Sequence, residues 1–176
     1  AKGAALGALS LPLQAKEPTA EQLARIAAAL PTEAPASPES SRRVLIFSRT
    51  NGFRHSSIET GTAALTQLGK ATGAYTVEHT EDESVFERDR LFEFDAVIML
   101  NTTVEIFRPR NWSEDPDRLA EEKEREARLK ANLVEFVESG RGLAGMHSAT
   151  DTYKNWAAYN DMMGGAFAGH PWHMLV

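Results

Sequence analysis

The sequence predicts an α/β protein built on a parallel sheet, and three observations carry that expectation. Val44-Leu45-Ile46-Phe47 and Ala96-Val97-Ile98-Met99-Leu100 are unbroken apolar runs, the pattern of strands covered on both faces. Segments of helical period alternate with the strand-like ones, as parallel strands joined by crossover helices require. The 176 residues are 42% hydrophobic, enough to close one core.

The elements follow in chain order. Residues 1–42 hold no Phe, Trp or Tyr but five of the eight prolines and twelve alanines, so residues 1–41 read as a leader or arm and a linker. Ala4 to Ala15 is short, small and apolar, like the end of a secretory leader or an arm that packs on the body. Thr19 caps a helix over Glu21 to Leu30 that Pro31 stops, and Pro31 to Ser41 has linker composition. The folded domain, 42–176, opens with the strand Val44–Phe47. A polar loop, Ser48 to Ser57, leads to a helix bearing Ile58, Ala64, Leu65 and Leu68, ended by Gly69 and Gly73. Tyr75–Glu78 reads as a second strand, Val85–Phe92 as a short helix and Ala96–Leu100 as the third strand. Glu121–Ser139 is a helix with Leu129, Leu133, Phe136 and Val137 buried. The spacings Glu121–Arg125, Glu124–Arg128 and Glu126–Lys130 suit pairs on its solvated side. Leu143–Met146 is the fourth strand, and Trp156–Phe167 the last helix.

Composition excludes several classes of function. With 19 basic and 25 acidic side chains the formal charge is −6, the wrong sign for general nucleic-acid binding. No apolar run approaches the ~20 residues of a membrane-spanning helix. The absence of cysteine removes disulfides, thiolate metal sites and a thiol nucleophile.

Ligands of open parallel sheets bind beyond the carboxyl ends of the strands. Polar residues follow every strand: Arg49 to Ser56, His79-Thr80-Glu81-Asp82, Asn101-Thr102-Thr103, and His147-Ser148-Ala149-Thr150-Asp151. Singly, each is as well explained by capping or by a hydrogen-bonded core histidine; together they mark a pocket. Gly145-Met146-His147-Ser148-Ala149 has the small residues of a nucleophile elbow, the strained strand-to-helix turn that projects its central side chain. The central residue is His147, suited to acid–base chemistry or metal binding, with Asp151 four residues on to orient it. On this reading the imidazole faces the positive end of the following helix.

Phe47-Ser48-Arg49-Thr50, Gly52-Phe53, His55, Ser57-Ile58, Phe94-Asp95-Ala96-Val97, Asn101-Thr102-Thr103, Gly145, His147 to Asp151 and Gly169-His170-Pro171 resemble the ThuA-like (trehalose utilization) family over Arg42 to about His173. The resemblance implies a flavodoxin-like three-layer fold with a mostly parallel sheet, similar to class I glutamine amidotransferases. His147 takes the place of their elbow cysteine, which rules out amidotransferase chemistry. It also implies a role with sugars or disaccharides. Family members continue beyond the Gly-His-Pro motif, so the domain is expected to be truncated at its C-terminus. The link Val104 to Ala120 is longer than in shorter members and reads as a pocket lid or a surface insertion.

Three functional readings follow. One is an enzyme acting on a sugar or oxidised disaccharide by hydrolysis, hydration or isomerisation. In it His147, His55 and Asp151 are catalytic, and Arg49, Asn101, Thr102, Thr150 and Trp156 bind substrate. The second adds a divalent metal such as zinc on His55, His147 and His170 or His173. The third is a non-catalytic carbohydrate-binding or scaffold domain. The expected partner is a small carbohydrate, with no nucleic acid, no membrane span and room for a homo-oligomer. The leader-like start suggests a secreted or periplasmic protein, the alternative being cytoplasmic.

Overall fold

The computed structural model describes residues 17–36 and 38–170. The leader-like stretch, His173 and the chain beyond His170 therefore lie outside the described residues. Helix α1 (Ala20–Ala29) is opened by a reciprocal cap, the Thr19 hydroxyl accepting from the Gln22 amide while the Gln22 side chain accepts from the Thr19 amide. It buries none of its residues and rests on α2 (Ile58–Thr72).

Four parallel strands form the sheet: β1 (Arg42–Phe47), β2 (Tyr75–Thr80), β3 (Ala96–Leu100) and β4 (Gly142–Met146), in the order β2-β1-β3-β4. Alternate side chains serve opposite layers. Leu45, Phe47, Val97 and Met99 enter the core beneath α4 (Pro116–Glu138), which contributes Leu129, Leu133 and Phe136. On the other face Leu100 packs so close to α2 that a Cβ on Gly61 would stand 3.0 Å from its Cδ1. Helices on both faces of an all-parallel sheet make this a three-layer α/β fold of the flavodoxin-like kind.

Several elements depart from expectation, each for a local reason. Helix α2 continues through Gly69 and ends only at Gly73, which takes φ +66°. Gly69 is there for close packing: a Cβ would lie 2.6 Å from both the Tyr75 ring and its carbonyl oxygen. The expected helix Val85–Phe92 is two short pieces, a 3₁₀ turn (Glu83–Phe86) and α3 (Arg88–Leu91), broken at extended Glu87. The buried Asn132 amide of α4 donates to the Phe86 carbonyl at 2.9 Å, taking an acceptor that a continuous helix would use. Helix α4 begins earlier, at Pro116, where the Asp115 carboxylate accepts from the Asp117 and Arg118 amides.

The α4 charges do more than face solvent. Glu126–Lys130 pairs as spaced, at 2.7 Å, but Arg125 reaches Glu83 at 2.8 Å and Arg128 reaches Glu87 at 2.9 Å. They strap the 3₁₀ turn and α3 to the helix. Helix α5 (Ala157–Met163) is shorter than expected because Gly164, at φ +79°, stops it. The link after Val104 is neither lid nor ornament. Ile106 and Phe107 are buried in the core, the Phe107 amide donates to the Tyr153 hydroxyl, and the Asn51 amide donates to the carbonyls of Glu105 and Arg108. Among the described residues no helix is long and apolar enough to cross a membrane.

Candidate functional site

The carboxyl edge of the sheet concentrates backbone strain. Among the described residues, four non-glycine residues have positive φ: Asn101 (+53°), Val104 (+63°), His147 (+53°) and Tyr153 (+46°). All follow the ends of β3 and β4. An L-residue in the left-handed region costs about 1–2 kcal/mol, and such strain clusters at functional sites. β3 and β4 end alike, side by side: the Asn101 amide donates to the Met146 carbonyl at 3.3 Å, and the next residue of β4's chain is His147.

The elbow reading matches this local geometry. His147 is the left-handed residue, and Gly145 is small because a Cβ there would meet Met163 Sδ at 2.6 Å and Ala149 Cβ at 3.1 Å. The element that follows differs from expectation. It is a five-residue 3₁₀ turn, His147–Asp151, and α5 starts only at Ala157, so no α-helical dipole ends on the imidazole.

His55 comes from the β1–α2 loop, which is fastened from several sides. The Asn51 amide N–H donates to the Thr103 carbonyl, and Arg54 spans Glu59 of α2 at 2.8 Å and Glu81 after β2 at 2.7 Å. The His55 and His147 rings meet edge to face with centroids 4.5 Å apart. They line one pocket of about 190 Å³ with Ser148, Thr150, Asp151, Phe167 and His170. Burial lowers the His55 pKa, the neighbouring His147 lowers it further, and Asp151 opposes both. His55 is thereby a neutral base near pH 7. The Ser148 hydroxyl is buried and without a partner among the described residues.

The other expected residues divide. Thr150 lines the pocket, and its carbonyl accepts from the Phe167 amide at 2.8 Å, which brings Phe167 to the wall. Asp151 lines it too, but its carboxylate pairs with Lys154 at 2.9 Å; no hydrogen bond ties it to His147 among the described residues. Asn101 is buried beside the site with its amide donated to the Ser57 hydroxyl at 2.8 Å, a brace between β3 and α2. Thr102 is fully buried, its hydroxyl accepting from Thr152 at 2.8 Å. Arg49 points to the α4 face, ion-paired with Glu83 and donating to the Arg108 carbonyl. Trp156 packs against the core, stacked on Tyr159 and edge to face with Tyr153, with the Lys130 ammonium over its ring. Asn101, Thr102, Arg49 and Trp156 thus do not line this pocket, and the contacts described for each are structural.

β2 extends to Thr80, so His79 lies within the strand rather than in the loop after it, and this end of β2 stays apart from the pocket. His79 faces a groove between α1 and α2 and lies 2.7 Å from the buried Ser48 hydroxyl, which donates to Glu81. Phe167 was not foreseen; the Gly164-Gly165 pair that ends α5 was the available signal. His55, His147 and His170 share a pocket without converging, and among the described residues no three His, Asp or Glu side chains gather closely enough to hold a metal ion.

No curated protein and no solved structure matches the chain. A family profile does, over residues 43–175, from the second residue of β1 through both histidine loops. Its description is trehalose utilisation, and on that match the chain belongs to the ThuA family.

Proposed function

We propose that the pocket is a sugar site in which His55 and His147 carry protons, on a sugar or an oxidised disaccharide, by hydrolysis, hydration or isomerisation. The observation that carries this is the contact between two imidazoles, one projected by a strained elbow, inside a pocket at the sheet's carboxyl edge. His55, neutral near pH 7, is the base. His147 lines the same pocket and returns a proton to the bound ring. Thr150 lines the same wall, and Phe167 gives it an apolar face. The family's association with trehalose supports a carbohydrate over other polar ligands.

A second reading has its own observation. Asp151 is engaged by Lys154, so among the described residues neither imidazole is hydrogen-bonded to the carboxylate that usually orients a catalytic histidine. A carbohydrate-binding domain without turnover fits that arrangement. One experiment separates the two. A panel of mono- and disaccharides and their oxidised forms is scored for binding and for turnover with wild type and His147→Ala, alongside metal analysis of the purified protein. Catalysis predicts a fall in turnover of about 10²-fold or more. Full activity in His147→Gln refutes the catalytic role, and binding without turnover by wild type selects the second reading.

A further inference from the structure

We infer that Phe53 is the platform of an outer subsite, which receives the apolar face of a second sugar ring while the first occupies the pocket lined by the two histidines. The inference rests on the sugar-site reading above.

Phe53 is 71% exposed, whereas Phe47, Phe86, Phe94, Phe107 and Phe136 are buried. Its exposure is not that of a slack loop. The Gly52 amide donates to the Thr103 hydroxyl at 3.3 Å, and the same hydroxyl donates to the Phe53 carbonyl at 3.1 Å. On the other side, Arg54 is held by two carboxylates. A Cβ on Gly52 would lie 2.5 Å from Val104 Cγ2, so the backbone beside Phe53 is pressed against the β3 loop. The backbone is fixed and the ring is held in water, edge to face with His55 at 4.8 Å. A rigid, preorganised aromatic surface is what binding requires, because little freedom remains to be lost.

Size and chemistry select the occupant. The pocket, at about 190 Å³, is smaller than the ~300–1,000 Å³ of pockets for drug-sized ligands, and suits one pyranose ring. A second ring linked to the first must lie outside, and Phe53 is an exposed aromatic residue in edge-to-face contact with His55 of the pocket wall. The C–H bonds on one face of a pyranose form an apolar patch that stacks on a phenyl ring, while its hydroxyls remain in water.

Calorimetric titration of the full chain with trehalose and with glucose tests the assignment in wild type, Phe53→Ala and Phe53→Trp. Phe53→Ala is expected to weaken trehalose about tenfold and leave glucose within about twofold, with Phe53→Trp restoring the disaccharide. Equal losses for both sugars overturn the platform, since Phe53 would then act only through His55. No change for either overturns it as well while leaving the sugar site standing. Failure of wild type to bind either sugar removes the sugar site and the platform together. An exposed ring makes the variants easy to fold, and unchanged thermal midpoints check that.

Discussion

Replacing His147 by glycine and, separately, by alanine tests the elbow through stability rather than activity. At an ordinary position glycine is the worse residue by about 0.5–1 kcal/mol, because the unfolded chain gains freedom. At φ +53° the order should invert. Alanine retains the left-handed penalty of about 1–2 kcal/mol, glycine escapes it, and subtracting glycine's entropic cost leaves roughly 0.5–1 kcal/mol in its favour. His147 is exposed, so neither variant loses much buried surface and the backbone term dominates. In a chain of this length that is a thermal midpoint higher by roughly 1–4 °C for His147→Gly than for His147→Ala. Urea denaturation with a common slope for both variants gives the free-energy difference directly. On the catalytic reading both variants lose turnover by about 10²-fold, so the glycine variant is the more stable and equally inactive. Should alanine prove the more stable by about 0.5–1 kcal/mol, the ordinary order, His147 is not left-handed and the elbow is wrongly drawn.

Two further outcomes follow from packing and charge. Gly69→Ala gains about 1 kcal/mol of helix propensity but meets the Tyr75 ring and carbonyl at 2.6 Å, and the backbone atom cannot step aside. A net loss of about 1–2 kcal/mol by denaturation is expected, and a stabilised variant would refute the close approach. Burial raises the pKa of Glu126, but bonds from Arg108 and Lys130 outweigh it and hold the carboxyl below its usual 4.5. A depressed folded pKa means stability that is fully present above about pH 4.5 and drains away as pH falls through the folded value. Glu126→Gln should cost about 1–3 kcal/mol at pH 7 and flatten the acid limb of the stability profile, so an identical acid limb in the variant would refute the pairing.

The strands were legible because their signal is one-dimensional. Val44–Phe47 and Ala96–Leu100 are apolar on every residue, and only a doubly covered strand needs that. His147 was legible for a related reason, since Gly145 and Ala149 are small where a turn must pass Met163. What sequence did not carry is direction. Phe47 belongs to the α4 face, and Arg49, two residues on, emerges on that face beside Glu83, away from the histidines. The motif position was right for a ligand contact and the parity was wrong. Trp156 misled in the same manner, as an aromatic near the site whose partners Tyr153 and Tyr159 are core residues. The ion-pair spacings on α4 told which charges share a face, but Arg125 and Arg128 found acceptors on a neighbouring element, which no local spacing reports.

The two edges of the sheet are built to different ends, and the contrast strengthens the placement of the site. At the amino edge the ends of three strands are tied through one residue. The Asp95 carboxylate accepts from the Arg43 amide at 2.7 Å and from Arg42 at 3.1 Å, and its carbonyl accepts from the Gly142 amide at 2.9 Å. These polar groups are paired across β1, β3 and β4, as a purely structural edge allows. The carboxyl edge instead holds left-handed Asn101 and His147, a buried Ser148 hydroxyl without a partner and two imidazoles in ring contact without a hydrogen bond between them. Each is a cost that a structural edge would have shed, since a glycine at 147 or an alanine at 148 removes it. Unmet polar capacity of this kind persists where a ligand completes it. Buried polar atoms without a partner also occur elsewhere among the described residues, on Thr62 and Asn160, so the left-handed elbow and the contacting imidazoles distinguish this edge more than Ser148 does. On the proposed reading, a polar ligand in the pocket lined by His55 and His147 meets that deficit.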